Sequence, residues 1–266
     1  MKKLILMVIF FGILTSCEDV IEVELNDATP RLVVEANLNV WENGSSSAAV
    51  RLTTTAPFFE NNLPFVTDAE VNITDENGLV YPFIYSQEGI YTSSLMPQLN
   101  IDYTLRIQYK GETYSATETL YTVSPLEFVE QRDDGGFSGE DIELKAFFTD
   151  PAGERNFYFF EGLSERGDAL DVYNDEFFDG NSIFGYYLVE DLAQGDEVQF
   201  NIYGISEAYY NFMFILLQQT GDGGGGPFET QPATVRGNIV NETNPDNFPL
   251  GYFRVSEVST LNYTVQ

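Results

Sequence analysis

From Arg31 onward the chain is a succession of short stretches rich in Val, Ile, Thr, Tyr and Phe, cut off by Gly, Pro, Asn, Asp or Ser. Alternation with period two puts one face of a stretch in a core and the other in water. Such stretches, closed by turn residues, fold as antiparallel sheets packed face to face. The chain is therefore read as mainly β. It has a single cysteine, so no disulfide can form within it and the fold must stand on its core. With 43% hydrophobic and 15% aromatic residues it can do so.

Leu32–Leu38 is the first strand expected and Ala49–Thr54 the second, with a turn at Glu42–Ser47 between them. Ala69–Thr74 meets Leu79–Tyr81 across Asp75-Glu76-Asn77-Gly78, where Gly78 can take the positive φ that closes a hairpin. Pro82 has no N–H for a ladder, which predicts that the return strand lies at an edge or breaks there. Gly89–Thr92, Asp102–Tyr109 and Glu112–Thr117 complete an immunoglobulin-like or transthyretin-like β-sandwich over 31–124, with Ser124-Pro125 as the boundary.

Residues 125–266 read as a second β-rich domain with one buried helix. Leu126–Glu130, Ile142–Phe148, Phe157–Glu161 and Val198–Tyr203 are its strands, with a flexible loop at 133–136 and a turn at Asp150–Gly153. The helix is placed over 207–219, with Ser206 as its N-cap. Tyr209, Phe212, Met213 and Leu216 share one face at helical spacing while Phe214, Ile215 and Leu217 make the others apolar, so it should be buried against a sheet. Gly221 and Gly223–Gly226 form a loop that reads either as a lid or as a plain connector. Ala233–Ile239 and Tyr252–Val265 close the chain as strands, and no fixed-period repeat is evident.

Ahead of these elements, Lys2-Lys3, the apolar run Leu4–Leu14 and small residues before Cys17 describe a secretory signal over 1–16. The run is shorter than the roughly 20 apolar residues a bilayer span takes. Cysteine in place of the residue after the cut resembles the bacterial lipoprotein signal, in which Cys17 becomes the first mature residue and is acylated. One acyl chain holds only marginally, at roughly 0.8 kcal/mol per buried methylene, whereas three hold almost permanently. Cleavage removes Lys2 and Lys3 and takes the formal charge from −30 to −32. Residues 17–30 are then an acidic tether. Glu18-Asp19 beside the lipidated cysteine resembles a surface-export signal, or else an ordinary solvated linker kept extended by its charge. In bacteria with other sorting rules, an acid at this position marks retention at the inner membrane.

Such acidity excludes nucleic acid as a partner, since affinity for phosphate backbones comes from cationic contacts. The sequence has no histidine, which removes the usual general base and the commonest metal ligand. With Cys17 acylated, thiolate chemistry is gone as well. No catalytic residue, metal ligand or cofactor is assigned from these patterns. Two carboxylates suffice for glycoside hydrolysis, and Asp133-Asp134, Asp175-Glu176 and Glu190-Asp191 are adjacent pairs. Adjacent side chains in a strand point to opposite faces, which weakens that reading. Asn174–Asn181 is the densest candidate for calcium, yet it lacks the alternating acids of an EF-hand loop and reads first as a solvated turn. Aromatic residues supply the remaining candidate binding groups: Trp41 past the first strand, and Phe58, Phe59 and Phe65 in a loop-like segment that either is exposed or folds back on the sandwich.

Cys17-Glu18-Asp19-Val20-Ile21-Glu22-Val23, the sandwich ending in Tyr114-Ser115-Ala116, and the late Gly226-Pro227-Phe228, Gly237-Asn238-Ile239 and Leu250-Gly251-Tyr252-Phe253 resemble a family of Bacteroidota lipoproteins catalogued as domain of unknown function 4249. The resemblance spans almost the whole mature chain and rests on structural glycines and aromatics. It implies an outer-membrane location facing the cell exterior and, from frequent encoding beside TonB-dependent receptors, an accessory role in nutrient capture. A surface glycan hydrolase and a structural or adhesive module are the alternatives.

Overall fold

The computed structural model describes residues 29–57, 63–136, 139–220 and 234–266. The signal, Cys17, Phe58, Phe59 and the glycines at 221–226 lie outside them. Seven strands come first: β1 (Leu32–Trp41), β2 (Ser46–Thr54), β3 (Glu70–Asp75), β4 (Val80–Gln87), β5 (Ile90–Ser93), β6 (Asp102–Tyr109) and β7 (Glu112–Thr119). Their alternation sets the inner face. Val34, Ala36 and Leu38 of β1, Val50 and Leu52 of β2, Ile73 of β3 and Leu105 and Ile107 of β6 are buried in one core. Each of the valine, leucine and isoleucine side chains contributes about 1.5–3 kcal/mol of burial. The β3–β4 hairpin closes as its sequence requires: Gly78 has φ +84°, and Asp75 Oδ1 accepts the amides of Asn77 and Leu79, both at 2.9 Å.

β4 is neither broken at Pro82 nor an edge strand, contrary to expectation, but at Pro82 itself it is paired on one side only. Pro82 pairs with Asn72 of β3, and β5 begins its pairing with β4 only opposite Ile84, so no ladder donor is needed from the proline on that side.

The remaining elements are β8 (Leu126–Gly135), β9 (Asp141–Thr149), β10 (Phe157–Ser164), β11 (Gly167–Asn174), a 3₁₀ turn (Asp175–Phe177), β12 (Ser182–Tyr187), β13 (Glu197–Gly204), helix α1 (Glu207–Thr220), β14 (Val240–Asn241) and β15 (Leu250–Thr264). Two sheets result, one in the order β11-β10-β13-β15-β1-β2-β5-β4-β3-β6-β7-β14 and one in the order β12-β9-β8. Asp133–Gly135 belong to β8, which carries a register shift between Arg132 and Gly135, and are not a flexible loop. In place of the strand expected over 233–239, only β14 pairs, with Tyr114 and Ser115 of β7. Residue 233 itself lies outside the described residues.

Phe157-Tyr158-Phe159-Phe160 shows how the second half is layered. Tyr158 and Phe160 face a core shared with Leu144 and Phe148 of β9 and Phe200 of β13. Phe157 and Phe159 face the other way, toward Tyr209 and Met213 of α1. A strand buried on both faces reads as a continuous apolar run, because neither face meets water. The helix forms over 207–220, capped by Ser206 Oγ, which accepts the Tyr209 amide at 3.1 Å. Its burial is one-sided: Phe214 and Ile215 remain 44% and 45% exposed. No helix among the described residues is long and apolar enough to cross a membrane.

β15 ties the two cores together. Its first half runs parallel to β1 and places Phe253 and Val255 in the N-terminal core. Its second half pairs with β13 and reaches the second core through Leu261, Tyr263 and, just beyond, Val265. This junction needs backbone in contact with backbone. Gly251 has φ +92°, and a Cβ there would lie 2.0 Å from the Val34 carbonyl oxygen. A Cβ on Gly237 would lie 1.6 Å from the Gly251 oxygen. Beside them Asn238 clamps the strand, donating from Nδ2 to Phe253 O at 2.8 Å and accepting the Phe253 amide at 2.9 Å.

Candidate ligand pocket between the helix and the sheet

Because Leu32, Val34, Ala36 and Leu38 point into the core, Val33, Glu35 and Asn37 of β1 point outward. Tyr252 and Arg254 of the adjoining β15 point the same way, opposite Glu35 and Asn37. Helix α1 lies over this face without sealing it. Between them is a pocket of about 500 Å³, floored by β1 and β15 and walled by the Tyr209, Phe212, Met213 and Leu216 stripe, with Gln219 and Thr234 at its rim. That volume lies within the roughly 300–1,000 Å³ typical of small-molecule sites, which are mostly apolar with a few placed polar groups.

The polar groups of the floor are held from behind by Arg254, which is 6% exposed. Its Nε donates to Asn37 Oδ1 at 3.2 Å and its Nη1 to Ser256 Oγ at 3.3 Å. The guanidinium lies 4.1 Å from the Tyr203 ring centroid and 5.5 Å from that of Tyr209, and among the described residues it makes no ion pair. Aromatic faces and neutral oxygens therefore carry this buried cation. With Oδ1 occupied, Asn37 presents its Nδ2 donors to the pocket. Glu35 makes no hydrogen bond or ion pair among the described residues.

The wall tyrosines are kept neutral. Burial raises the Tyr209 hydroxyl, an effect that Arg254 opposes and Glu161 and Glu35 reinforce. Burial likewise pushes Tyr252 up to about 12, against its hydrogen bond with Ser206. Both rings serve as apolar wall, with Tyr252 packed edge-on to Tyr209 at 4.9 Å and tilted against Phe212 at 5.2 Å.

A larger hollow of about 760 Å³ lies by Arg166 and Asp196. The one cation among its lining residues is already tied to Asp196 at 2.8 Å.

Trp41 and Phe65, two of the aromatic residues singled out by sequence, are not brought together. Trp41, at the end of β1, packs against the helix-side cluster and donates its indole N–H to Thr260 Oγ1 at 3.2 Å. Phe65 is 43% exposed and bridges Thr53, which pairs with Val33 near the start of β1. Eight strand positions, about 27 Å at 3.3–3.4 Å per residue, separate Trp41 from that point. Phe58 and Phe59 lie outside the described residues.

Part of the acidic segment 174–181 does meet a distant acid. Asp150, Asp175 and Asp179 bring carboxylate oxygens within 4.8 Å of one another, and the first two are buried. An all-oxygen donor set suits a hard cation such as calcium. Carboxylate oxygens of all three are already engaged by the chain. Asp150 accepts from the Tyr158 hydroxyl and, at 3.0 Å, from the Gly180 amide. Asp175 accepts the Asn156 amide and Asp179 the Gly153 amide, each at 2.7 Å. The cluster thus knots the 150–156 turn to the 175–181 turn, and it presents Phe177 at 90% exposure.

A family described as Domain of unknown function (DUF4249) matches residues 18–262. The chain belongs to that family. Among solved structures, this member of domain family 4249 is similar to a two fibronectin type-III domain segment from chicken tenascin, at 14% identity and a TM-score of 0.22, covering 66% of this chain and 91% of that one. It is also similar to a cytokine receptor complex, at 13% identity and a TM-score of 0.26, covering 67% and 86%. No curated protein matches it.

Proposed function

We propose that this chain is a lipid-anchored binding protein of the outer membrane, facing the cell exterior and serving as an accessory to a TonB-dependent nutrient receptor. The observation that carries the binding role is the pocket of about 500 Å³ under α1, whose floor offers both donors and an acceptor. Attachment is supported by Lys2-Lys3, the apolar run and Cys17, and the outward location by Glu18-Asp19. The anchor keeps a captured solute near the membrane, and the acidic tether keeps the domain clear of it.

Two measurements test this reading. Cys17→Ala is expected to move the protein from the membrane fraction to the soluble fraction, and a variant that stays with membranes would remove the lipid anchor. The tagged, lipidated chain, purified in mild detergent from outer membranes of its own host, is expected to bring down a TonB-dependent receptor in stoichiometric amount. A chain that comes down alone would return weight to the glycan hydrolase and adhesive readings.

A further inference from the structure

We propose that the pocket under α1 takes a primary amine with an apolar body, its ammonium against Glu35 and its body along Tyr209, Phe212 and Leu216. The inference deepens the binding role proposed above and rests on it. Three observations converge. Glu35 is a carboxylate lining a mainly apolar pocket and making no hydrogen bond or ion pair among the described residues. Neither cation of the adjoining strands pairs with Glu35 among the described residues: Arg51, opposite it on β2, turns its guanidinium to 5.8 Å from the Phe65 ring centroid and leaves its buried Nε without a hydrogen-bond partner, and Arg254 lies beside Asn37 among aromatic rings. Finally, the chain carries a formal charge of −30, so its overall field draws cations and repels anions.

Chemical discrimination follows from the floor. An ammonium has three donors and no acceptor, which Glu35 satisfies. A carboxylate in the same place gains the Asn37 Nδ2 donors but faces the Glu35 charge across a partly desolvated space. The gain of an ion pair for the amine and the like-charge cost for the carboxylate act in the same direction, so an amine and its carboxylate isostere should differ by about tenfold in affinity.

The test uses the mature lipidated chain in nanodiscs, with empty discs as the blank. The probes are 2-phenylethylamine, hexylamine and 1-naphthylmethylamine, each against the carboxylate of matching shape, read by ligand-detected NMR titration. Saturable binding of an amine about tenfold tighter than its carboxylate partner is the expected result. Glu35→Gln should bring each pair within about twofold while leaving the thermal midpoint unchanged, because Glu35 is exposed and makes no pair among the described residues. Val33→Trp, which fills the pocket floor, should abolish both. Equal or reversed preference, a preference that survives Glu35→Gln, or no saturable amine binding would each overturn the proposal. Receptor co-purification is read separately, so a receptor-associated protein indifferent to amines sinks this inference and leaves the accessory role standing.

Discussion

Gly251→Ala tests the junction on which both the fold and the pocket depend. A non-glycine residue at φ +92° is strained by about 1–3 kcal/mol. The added Cβ would also lie 2.0 Å from Val34 O, well inside the ordinary contact distance, and flexible side-chain movement cannot relieve contact with a backbone carbonyl. β15 must move off β1, weakening neighbouring ladder hydrogen bonds that each contribute about 1 kcal/mol. The expected total is about 3–5 kcal/mol, or roughly 10 °C in melting temperature for a chain of this size. Gly44→Ala is the matched control: its φ is +79° but its Cβ would meet nothing within 4 Å, so only the conformational cost remains. Equilibrium urea unfolding followed by the single tryptophan, Trp41, which packs between β1 and the helix-side cluster, reads both variants. A Gly251→Ala protein no less stable than Gly44→Ala would refute the close-approach argument.

Two further outcomes follow from buried polar groups. Asp150→Asn should destabilise by about 1–3 kcal/mol in the same assay, because one of the two donors it accepts loses its partner; stabilisation would mean that repulsion among Asp150, Asp175 and Asp179 dominates over the knot they tie. Tyr252 titrates near 12 in the fold against 10 in the free side chain, so the unfolded chain releases this proton first. Its contribution is present below pH 10 and is lost as the pH rises through about 12. The stability of Tyr252→Phe, measured by urea unfolding across that window, should therefore fall less steeply than that of the parent, and identical slopes would contradict the burial of this hydroxyl.

What was legible in the sequence followed the physics of periodicity. β1, β2, β3, β6 and β7 alternate cleanly because one face of each meets water, and the α1 cap and stripe are local signals that no distant contact can alter. β11 and β12 were not read, for reasons visible in their residues. Gly167–Asn174 is an edge strand whose Asp168 and Asp171 belong to a largely solvated surface. Ser182–Tyr187 carries Gly185 in its middle, which reads as a turn until the Phe160 ring is seen to occupy the space a Cβ would need, at 2.1 Å.

The pocket was hidden for a different reason. In sequence its walls are a helix stripe and its floor a first strand, but the two are more than 170 residues apart, and only the parallel pairing of β1 with β15 brings Glu35 beneath Tyr209. Trp41 and Phe65 drew notice because aromatic residues in loops are conspicuous, whereas an exposed glutamate on a strand of an acidic chain is not. A binding group here is marked by what it lacks. Among the described residues Glu35 has no partner, and it is exposed, so neither contact nor burial explains it as structure, while Arg254, Asn37 and Ser256 beside it explain one another through hydrogen bonds. The glycines at 237 and 251 extend the same reasoning: they let two backbones touch beside the pocket, so the late glycine motifs that characterise the sequence are the features that set the spacing of its floor.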